Sequence, residues 1–449
     1  MSDMSNGLLK IAQDAAAQAR DKGADEAEVI AQYQREARVD LQKNDLLNAS
    51  TSEETVFGIR VFKDGALGFA TVNDPDRIAT ACDEALAFAK VSPPDEGNGL
   101  RQPAPVTPLE TPADPAIAEL DIETLVDLAA KLVGRITKKD DRVMTDSGHV
   151  FAATGRRALA TSTGIALEDD SAICGGSFFG MAVTSDEVGS FDHDGQNLLS
   201  AANLERELEA AADRFVIKTL GALGARKGES FRGPAILSPE TVSSFVVSNL
   251  LSVLDASSVR TGKSPLKENL GEEIASPMLS LIDDPRDATL VGSTAFDREG
   301  TPTRVLPLLE HGVLNTFLYD FYEARRAGAA PTGHARGGAS APPSIGPSNL
   351  KLEPGDQSFT RLCCDPPLAV VVSRFSGSCN PITGEFSGVV KGGFLMRQGE
   401  KTPVKETLIA GNLYELLKNV SGVSEEKRII NGMRMMPSLR VEDISVTAG

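Results

Sequence analysis

The residues of this chain with most chemistry to offer are four histidines, five cysteines and the carboxylates around them. A zinc peptidase usually sets two histidines one helical turn apart with a glutamate between them, so that both imidazoles face one ion. His149, His193, His311 and His334 are too far apart in sequence to share a helix face. Asp192-His193-Asp194-Gly195 approaches a calcium loop. With Ser190 as its first position, however, Ala201 stands where the bidentate glutamate belongs, so a polar turn is expected. Gly262-Lys263-Ser264 has the end of a phosphate-binding loop, but Ser257 replaces its first glycine and the preceding segment reads as helix. No Gly-x-Ser-x-Gly elbow exists. Cys379 lies in the loop-like Ser376-Gly377-Ser378-Cys379-Asn380, where a thiol could react if a base stood beside it, and His334 is the candidate base. The competing reading is a small buried hydrophobe. Cys363-Cys364 is expected to pack at an edge and not to form a redox pair. Asp169-Asp170 and Asp283-Asp284 are expected to be solvated turns, since nothing nearby separates their titrations.

The totals narrow the classes. At about 150 residues per domain, 449 residues allow two or three domains, and a core that needs no disulfide or metal. A formal charge of −18 disfavours direct binding to nucleic acid, whose phosphates are neutralised by lysine and arginine. With no Trp and only 4 Tyr, a base-stacking platform is not expected either. The odd cysteine count, without a Cys-x-x-Cys pair, fits reduced thiols in a cytoplasm. Met1 to Asp14 lacks a signal peptide's apolar core, and the apolar stretch 245–254 is about half a membrane span. A soluble cytoplasmic protein, with no membrane partner, is the expectation.

Positioning elements follow from pattern. Residues 8–20 read as an amphipathic helix stopped at Gly23. Val29 and Ile30 fall in one expected strand and Val39 and Leu41 in another. Lys63-Asp64-Gly65 signals a hairpin, and Asp74-Pro75 opens a helix. Residues 91–115 hold seven prolines and form a long surface excursion. Helices follow at 122–137 and 202–223, separated by short glycine-rich β-like runs over 142–192. A boundary is expected at residues 225 and 226, giving an N-terminal domain 1–225 and a C-terminal domain 226–449. Ser238-Pro239-Glu240 then caps a helix with a hydroxyl, a first-turn proline and an acid. Short strands dominate to the end, interrupted by one helix after Asn412, with an irregular loop at 333–347. The predicted fold class is α+β: an N-terminal α/β domain with helices on a mostly antiparallel sheet, and a β-rich C-terminal domain with few helices.

The order of several motifs goes further. Phe296-Asp297-Arg298-Glu299-Gly300-Thr301 precedes Glu310-His311-Gly312-Val313-Leu314. Thr332-Gly333-His334 and Ser348-Asn349-Leu350 follow, then Asn380-Pro381-Ile382-Thr383-Gly384-Glu385-Phe386-Ser387 and Ile409-Ala410-Gly411-Asn412-Leu413. This series resembles the C-terminal domain of the TldD/PmbA family, and the N-terminal helix, hairpin and Asp74 helix resemble its N-terminal domain. The resemblance implies two branches that pair. One carries a His-Glu-x-x-x-His helix and a later cysteine as zinc ligands; the PmbA (TldE-like) branch lacks them. Val247, Ser248 and Ser252 stand at the corresponding helix positions here, and the third-ligand region, 431–436, has no cysteine. Zinc sites supply about 10 kcal/mol or more through deprotonated Cys, His or carboxylate ligands, which valine and serine cannot replace. The expectation is therefore a PmbA-like subunit, noncatalytic alone and without a cofactor of its own. Zinc is expected in a TldD-like partner, and the pair would trim or degrade unfolded peptides. A peptide held through its main chain makes few demands on side chains, and His334, Arg336, Asn380, Thr383 and Ser387 are the candidate cleft residues. The alternatives are a stand-alone peptide-binding or regulatory homodimer and a metal-independent hydrolase using Cys379 or a serine.

Overall fold

The computed structural model describes residues 7–110 and 113–449. Six residues of the segment read for a leader, and two of the proline-rich excursion, lie outside the described residues.

Helix α1 (Leu8–Asp21) buries Leu8, Ala12, Ala15, Ala16 and Ala19, spaced three and four apart along one face. Strand β1 (Glu26–Gln42) is a single 17-residue strand where two shorter ones were expected. Its odd-numbered apolar residues, Ala27, Val29 and Ala31 and then Ala37, Val39 and Leu41, keep one face throughout, and the polar stretch between them does not break the ladder. Strand β2 (Asp45–Lys63) follows through Lys43 and Asn44, both at positive φ, and β3 (Ala66–Val72) follows through Asp64 and Gly65, again both at positive φ. Two successive residues at positive φ suit the twist of a two-residue hairpin. Helices α2 (Ile78–Val91) and α3 (Ile122–Lys139) precede β4 (Val143–Thr161) and β5 (Ala166–Ala182). The glycines of 142–192 thus sit inside two long strands and not between short ones. Gly176 and Gly180 have no room for a Cβ beside the neighbouring carbonyls of His149 and Met144. Strand β6 (Asp192–Leu198) and helix α4 (Leu204–Leu220) complete the unit. Asp192-His193-Asp194 is therefore strand, not turn.

The six strands form one antiparallel sheet in the order β3-β2-β1-β4-β5-β6. All four helices cover the same face. Helices α1 and α2 pack over Val29, Ile59 and Ala158, and α3 and α4 over Val39, Val150 and Phe178. The contact of α2 with β3 is closest at Gly68, where an added Cβ would lie 1.8 Å from the carbonyl oxygen of Ala85. Gly68→Ala should therefore cost about 1–3 kcal/mol as helix and strand are forced apart, read as a lower urea midpoint with an unchanged slope.

Residues 226–448 build a second, mixed sheet of fourteen strands. Its centre is Arg434–Ala448, which pairs with Phe231–Leu237, Val420–Ile430, Thr407–Asn412 and, in parallel, Leu350–Leu352. The chain thus has an N-terminal α/β domain and a β-rich C-terminal region. Three short helices lie beyond the 239–254 segment and its sequel Ala256–Arg260, where sequence pattern indicated one: Phe321–Ala327, Phe359–Cys364 and Leu413–Lys418. Asp320, Ser358 and Asn412 cap them; all three are too short to show a period, and the one legible in sequence is marked by its Asn412 cap. Cys363 and Cys364 share the middle one, with Cys363 buried and Cys364 exposed. The loop 333–347 is irregular apart from Ala335–Arg336 paired with Ser344–Ile345. Among the described residues no helix is long and apolar enough to cross a membrane.

The open face of the first sheet meets the C-terminal region. Ile30 and Leu159 pack with Ile165 and Ala339. The excursion after α2 is a strap across this seam. Asp95 accepts from Tyr322 and Arg326, and Arg325 donates to the Asn98 carbonyl. Leu100 N–H donates to Glu26, Arg101 donates to the Gly300 carbonyl, and Arg286 donates to the carbonyls of Thr107 and Pro108.

Candidate functional site

The helical run 239–254 begins as expected, with Ser238 Oγ accepting from Thr241 N–H at 3.2 Å. It is not a plain α-helix. Val242–Val247 forms a π-helical stretch before α-helix resumes at Ser248–Leu254. Such insertions are rare and often mark functional sites. The wide turn exposes the Ser243 carbonyl to side chains. It accepts from Ser248 Oγ at 3.0 Å and from Arg434 Nη1 at 2.9 Å. The same Nη1 donates to Ser248 Oγ at 2.8 Å. Arg434 opens the central strand of the second sheet, so the segment 431–436 does meet the helix at Ser248. What it brings there is a guanidinium.

This is the location at which the sequence resemblance places metal ligands, and the donor set does not fit a zinc ion. Val247 is buried and has no donor atom. Ser248 Oγ is engaged by a carbonyl and a guanidinium, Ser252 Oγ donates to the Asn249 carbonyl at 2.7 Å, and Arg434 would repel a cation. Among the described residues no three His, Cys, Asp or Glu side chains are grouped to hold a metal.

A second polar centre lies at the seam. Glu28 on β1 and Arg60 on β2 face the turn Asp297-Arg298-Glu299, and all five side chains are buried. Arg60 donates to Glu28 at 2.7 Å and to Glu299 at 3.0 Å, and Arg298 donates to Glu28 at 2.8 Å. Burial would raise the Glu28 carboxyl, but the two guanidiniums more than offset it and hold it below its ordinary value. Glu299 is pushed the other way, up to about 7. Burial dominates there, Asp297, Asp320 and Glu28 add repulsion, and Arg60 opposes them. Burial also raises Asp297 and Asp320. Arg60, Glu299, Asp320 and Tyr322 border a cleft of about 410 Å³ that the strap partly covers.

The five residues proposed for a peptide cleft divide into two groups. His334 is 1% exposed, with Nε2 donating to Asp283 at 3.0 Å and Nδ1 2.9 Å from Thr332 Oγ1. Asp283 is wholly buried and also accepts from the Ser348 and Asn349 amides, so the expected solvated turn is instead a buried anchor. Arg336 donates to the Pro347 carbonyl and Ser348 Oγ beside that anchor. In this arrangement His334 and Arg336 brace the loop 333–347. Asn380, Thr383 and Ser387 are exposed and belong to the hairpin Arg374–Cys379 with Glu385–Lys391. There Asn380 Oδ1 accepts from Ile382 N–H, and Asn412 Nδ2 donates to the Thr383 carbonyl.

Among the described residues no base is hydrogen-bonded to Cys379. Its Sγ lies 4.0 Å from the Gly384 carbonyl, burial pushes its thiol up, and His334 is committed to Asp283. Asp194 is not a cation ligand either, since Arg214, Lys218 and Arg428 neutralise it. Asp169 and Asp170 pair with Arg157 and Arg156 across the β4–β5 ladder. Sequence reading missed Arg434, Glu28 and Arg60. Arg60 left a signal, because it is a single charge inside the apolar run 56–62 and buried charges require partners, whereas Glu28 follows Asp25 and Glu26 and does not stand out.

Comparison with known proteins adds the family context. The family model described as the PmbA/TldA metallopeptidase C-terminal domain matches residues 230–448, and that of PmbA/TldA metallopeptidase domain 1 matches residues 27–89. Metalloprotease PmbA of Escherichia coli O157:H7 is 25% identical over 435 residues, covering 93% of this chain and 92% of that protein. A metalloprotease of Methanothermobacter thermautotrophicus is 29% identical over 415 residues, 90% and 88% of the two chains. The crystal structure of TldE from Thermococcus kodakarensis superposes with a TM-score of 0.89 at 25% identity, over 100% of both chains.

Proposed function

The chain belongs to the PmbA/TldD metallopeptidase family, and from that premise we propose that it is the TldE-like, metal-free subunit of a heteromeric cytoplasmic metalloprotease, whose TldD-like partner carries the zinc. The observation that supports this most directly is Arg434. A cation fixed against Ser243 and Ser248 stands where the resemblance would have a third metal ligand. A positive charge there costs a divalent ion both a ligand and its electrostatic stabilisation. In this reading the domains divide near residues 225 and 226. The chain shapes the proteolytic chamber and helps hold unfolded peptide, while hydrolysis occurs on the partner. The exposed hairpin bearing Asn380, Thr383 and Ser387 is the surface offered for that contact. The buried Asp283–His334–Arg336 group keeps the adjoining loop in place.

The test is reconstitution. The purified full chain should contain far less than one zinc per molecule and should not cleave an unstructured peptide. It should co-purify with a TldD-like subunit, and the complex should cleave that peptide until a chelator is added. Stoichiometric zinc in the pure chain, or cleavage that survives the chelator, would overturn the assignment. A stable homodimer on size exclusion that ignores the TldD-like subunit would favour a stand-alone peptide-binding protein instead.

A further inference from the structure

Arg434 is half-buried, and its charge is not matched. Its partners are the Ser243 carbonyl and the hydroxyls of Ser243 and Ser248, all neutral. Among the described residues no carboxylate lies within ion-pair distance of it. Arg428, a few residues earlier on the adjoining strand, differs in this respect, since it pairs with Glu240 and Asp194. Among the described residues all the hydrogen bonds of Arg434 leave from Nη1, and Nε and Nη2 have no acceptor. Burial alone sets the direction of its shift, downward, with no anion offsetting it. The guanidinium is pre-aimed all the same. Ser248 Oγ gives its proton to the Ser243 carbonyl and presents a lone pair to Nη1, so the hydroxyl and carbonyl fix one edge of the fork and leave the other open. The free edge stays accessible while the rest of the group is partly desolvated, so an anion arriving there would supply the counter-charge the protein does not. A planar fork with two free donors matches a carboxylate, which it can bind through two parallel hydrogen bonds.

We propose that Arg434, propped by Ser243 and Ser248 at the π-helical turn, is a binding site for a carboxylate of the bound peptide, either its C-terminal carboxylate or an aspartate or glutamate side chain. The site orients the chain by its charge and takes no part in bond cleavage. Main-chain contacts alone fix the direction of an extended peptide but leave it free to slip along the cleft, and one fixed carboxylate contact would set its register. This inference rests on the reading of the chain as a peptide-handling subunit.

Fluorescence anisotropy on the full chain tests it with three labelled, unstructured hexapeptides. One has a free C-terminal acid, one is the same sequence as an amide, and one is the amide with a central glutamate. A charge-assisted bidentate contact should make at least one acidic peptide bind about tenfold or more tighter than the neutral amide. The free acid gaining alone identifies the terminus as the ligand, and the glutamate peptide gaining identifies a side chain. Arg434→Gln should remove that advantage, bringing the acidic peptides to the affinity of the neutral amide, and Arg434→Lys should retain part of it. Ser248→Ala keeps the charge but loses its prop, so it should reduce the advantage several-fold. It decides the question if Arg434→Gln does not fold. Equal binding of all three peptides, no measurable binding of either acidic peptide, or an advantage that survives Arg434→Gln would each overturn the proposal. A carboxylate preference in a chain that fails to pair with a TldD-like subunit would overturn the subunit assignment alone. A working complex without that preference would overturn this site alone.

Discussion

Glu28→Gln should lower the free energy of unfolding by about 3–5 kcal/mol, because it leaves two buried guanidiniums without the carboxylate they share. Glu28 is 1% exposed and accepts from Arg60 and Arg298 through separate oxygens. An amide can accept only through one atom, and its NH2 would face a guanidinium. The loss would be read in a urea titration followed by circular dichroism. Arg298→Met should be costly too, since it strips one guanidinium from Glu28. Combining it with Glu28→Gln should cost clearly less than the sum of the two, because the second change removes a charge the first has orphaned. Strict additivity would show that the three groups do not act as one network.

Relative to Glu299→Gln, the native chain should lose stability as pH rises from about 4.5 to about 7. The Glu299 carboxyl is raised from 4.5 to about 7 in the fold. Between those values the folded chain holds a proton that the unfolded chain has released. The unfolded state therefore binds fewer protons, and stability falls with rising pH. Below 4.5 both states are protonated and the full contribution is present, and above 7 both are ionised and it is gone. The span corresponds to a change on the order of 3 kcal/mol. Taking the difference from the variant cancels the histidines and the carboxylates remote from the seam. A difference that is flat over this window, or that rises with pH, would show that Glu299 stays ionised beside Arg60. The physical cause lies in the count of charges at the seam. Glu28, Asp297, Glu299 and Asp320 share it with few guanidiniums, so one proton relieves their repulsion.

Local devices in this chain were legible from sequence. The Asp64-Gly65 turn, the Asp74 and Ser238 caps and the Asn412 cap each depend on residues a few positions apart, and each is where spacing placed it. The α+β class followed from the same signals. The continuous β1 was not legible, because a polar interval in a strand looks like a turn until its neighbours pair with it. The polar centres were further out of reach. Glu299 and Arg60 are 239 residues apart, Arg298 and Glu28 are 270 apart, and Arg434 and Ser248 are 186 apart. No periodicity encodes such pairings. His334 shows the reverse hazard. A histidine in a glycine-rich loop invites a catalytic reading, and only the burial of Asp283 beneath it reveals a brace.

The strap 92–110 bears on how the molecule comes apart. Its backbone and side chains are gripped by Glu26 from the first sheet and by Arg286, Arg325 and Arg326 from the second region. Neither half can swing away like a door on a hinge without first peeling this segment off, so the barrier to separation is spread over many modest contacts and not one weak joint. A nick in the strap would therefore leave equilibrium structure largely in place while shortening the lifetime of the intact state, the mark of a segment whose value is kinetic. In hydrogen exchange, amides on both flanks of the seam should open together at one rate in the uncut chain and at separate rates in the nicked one.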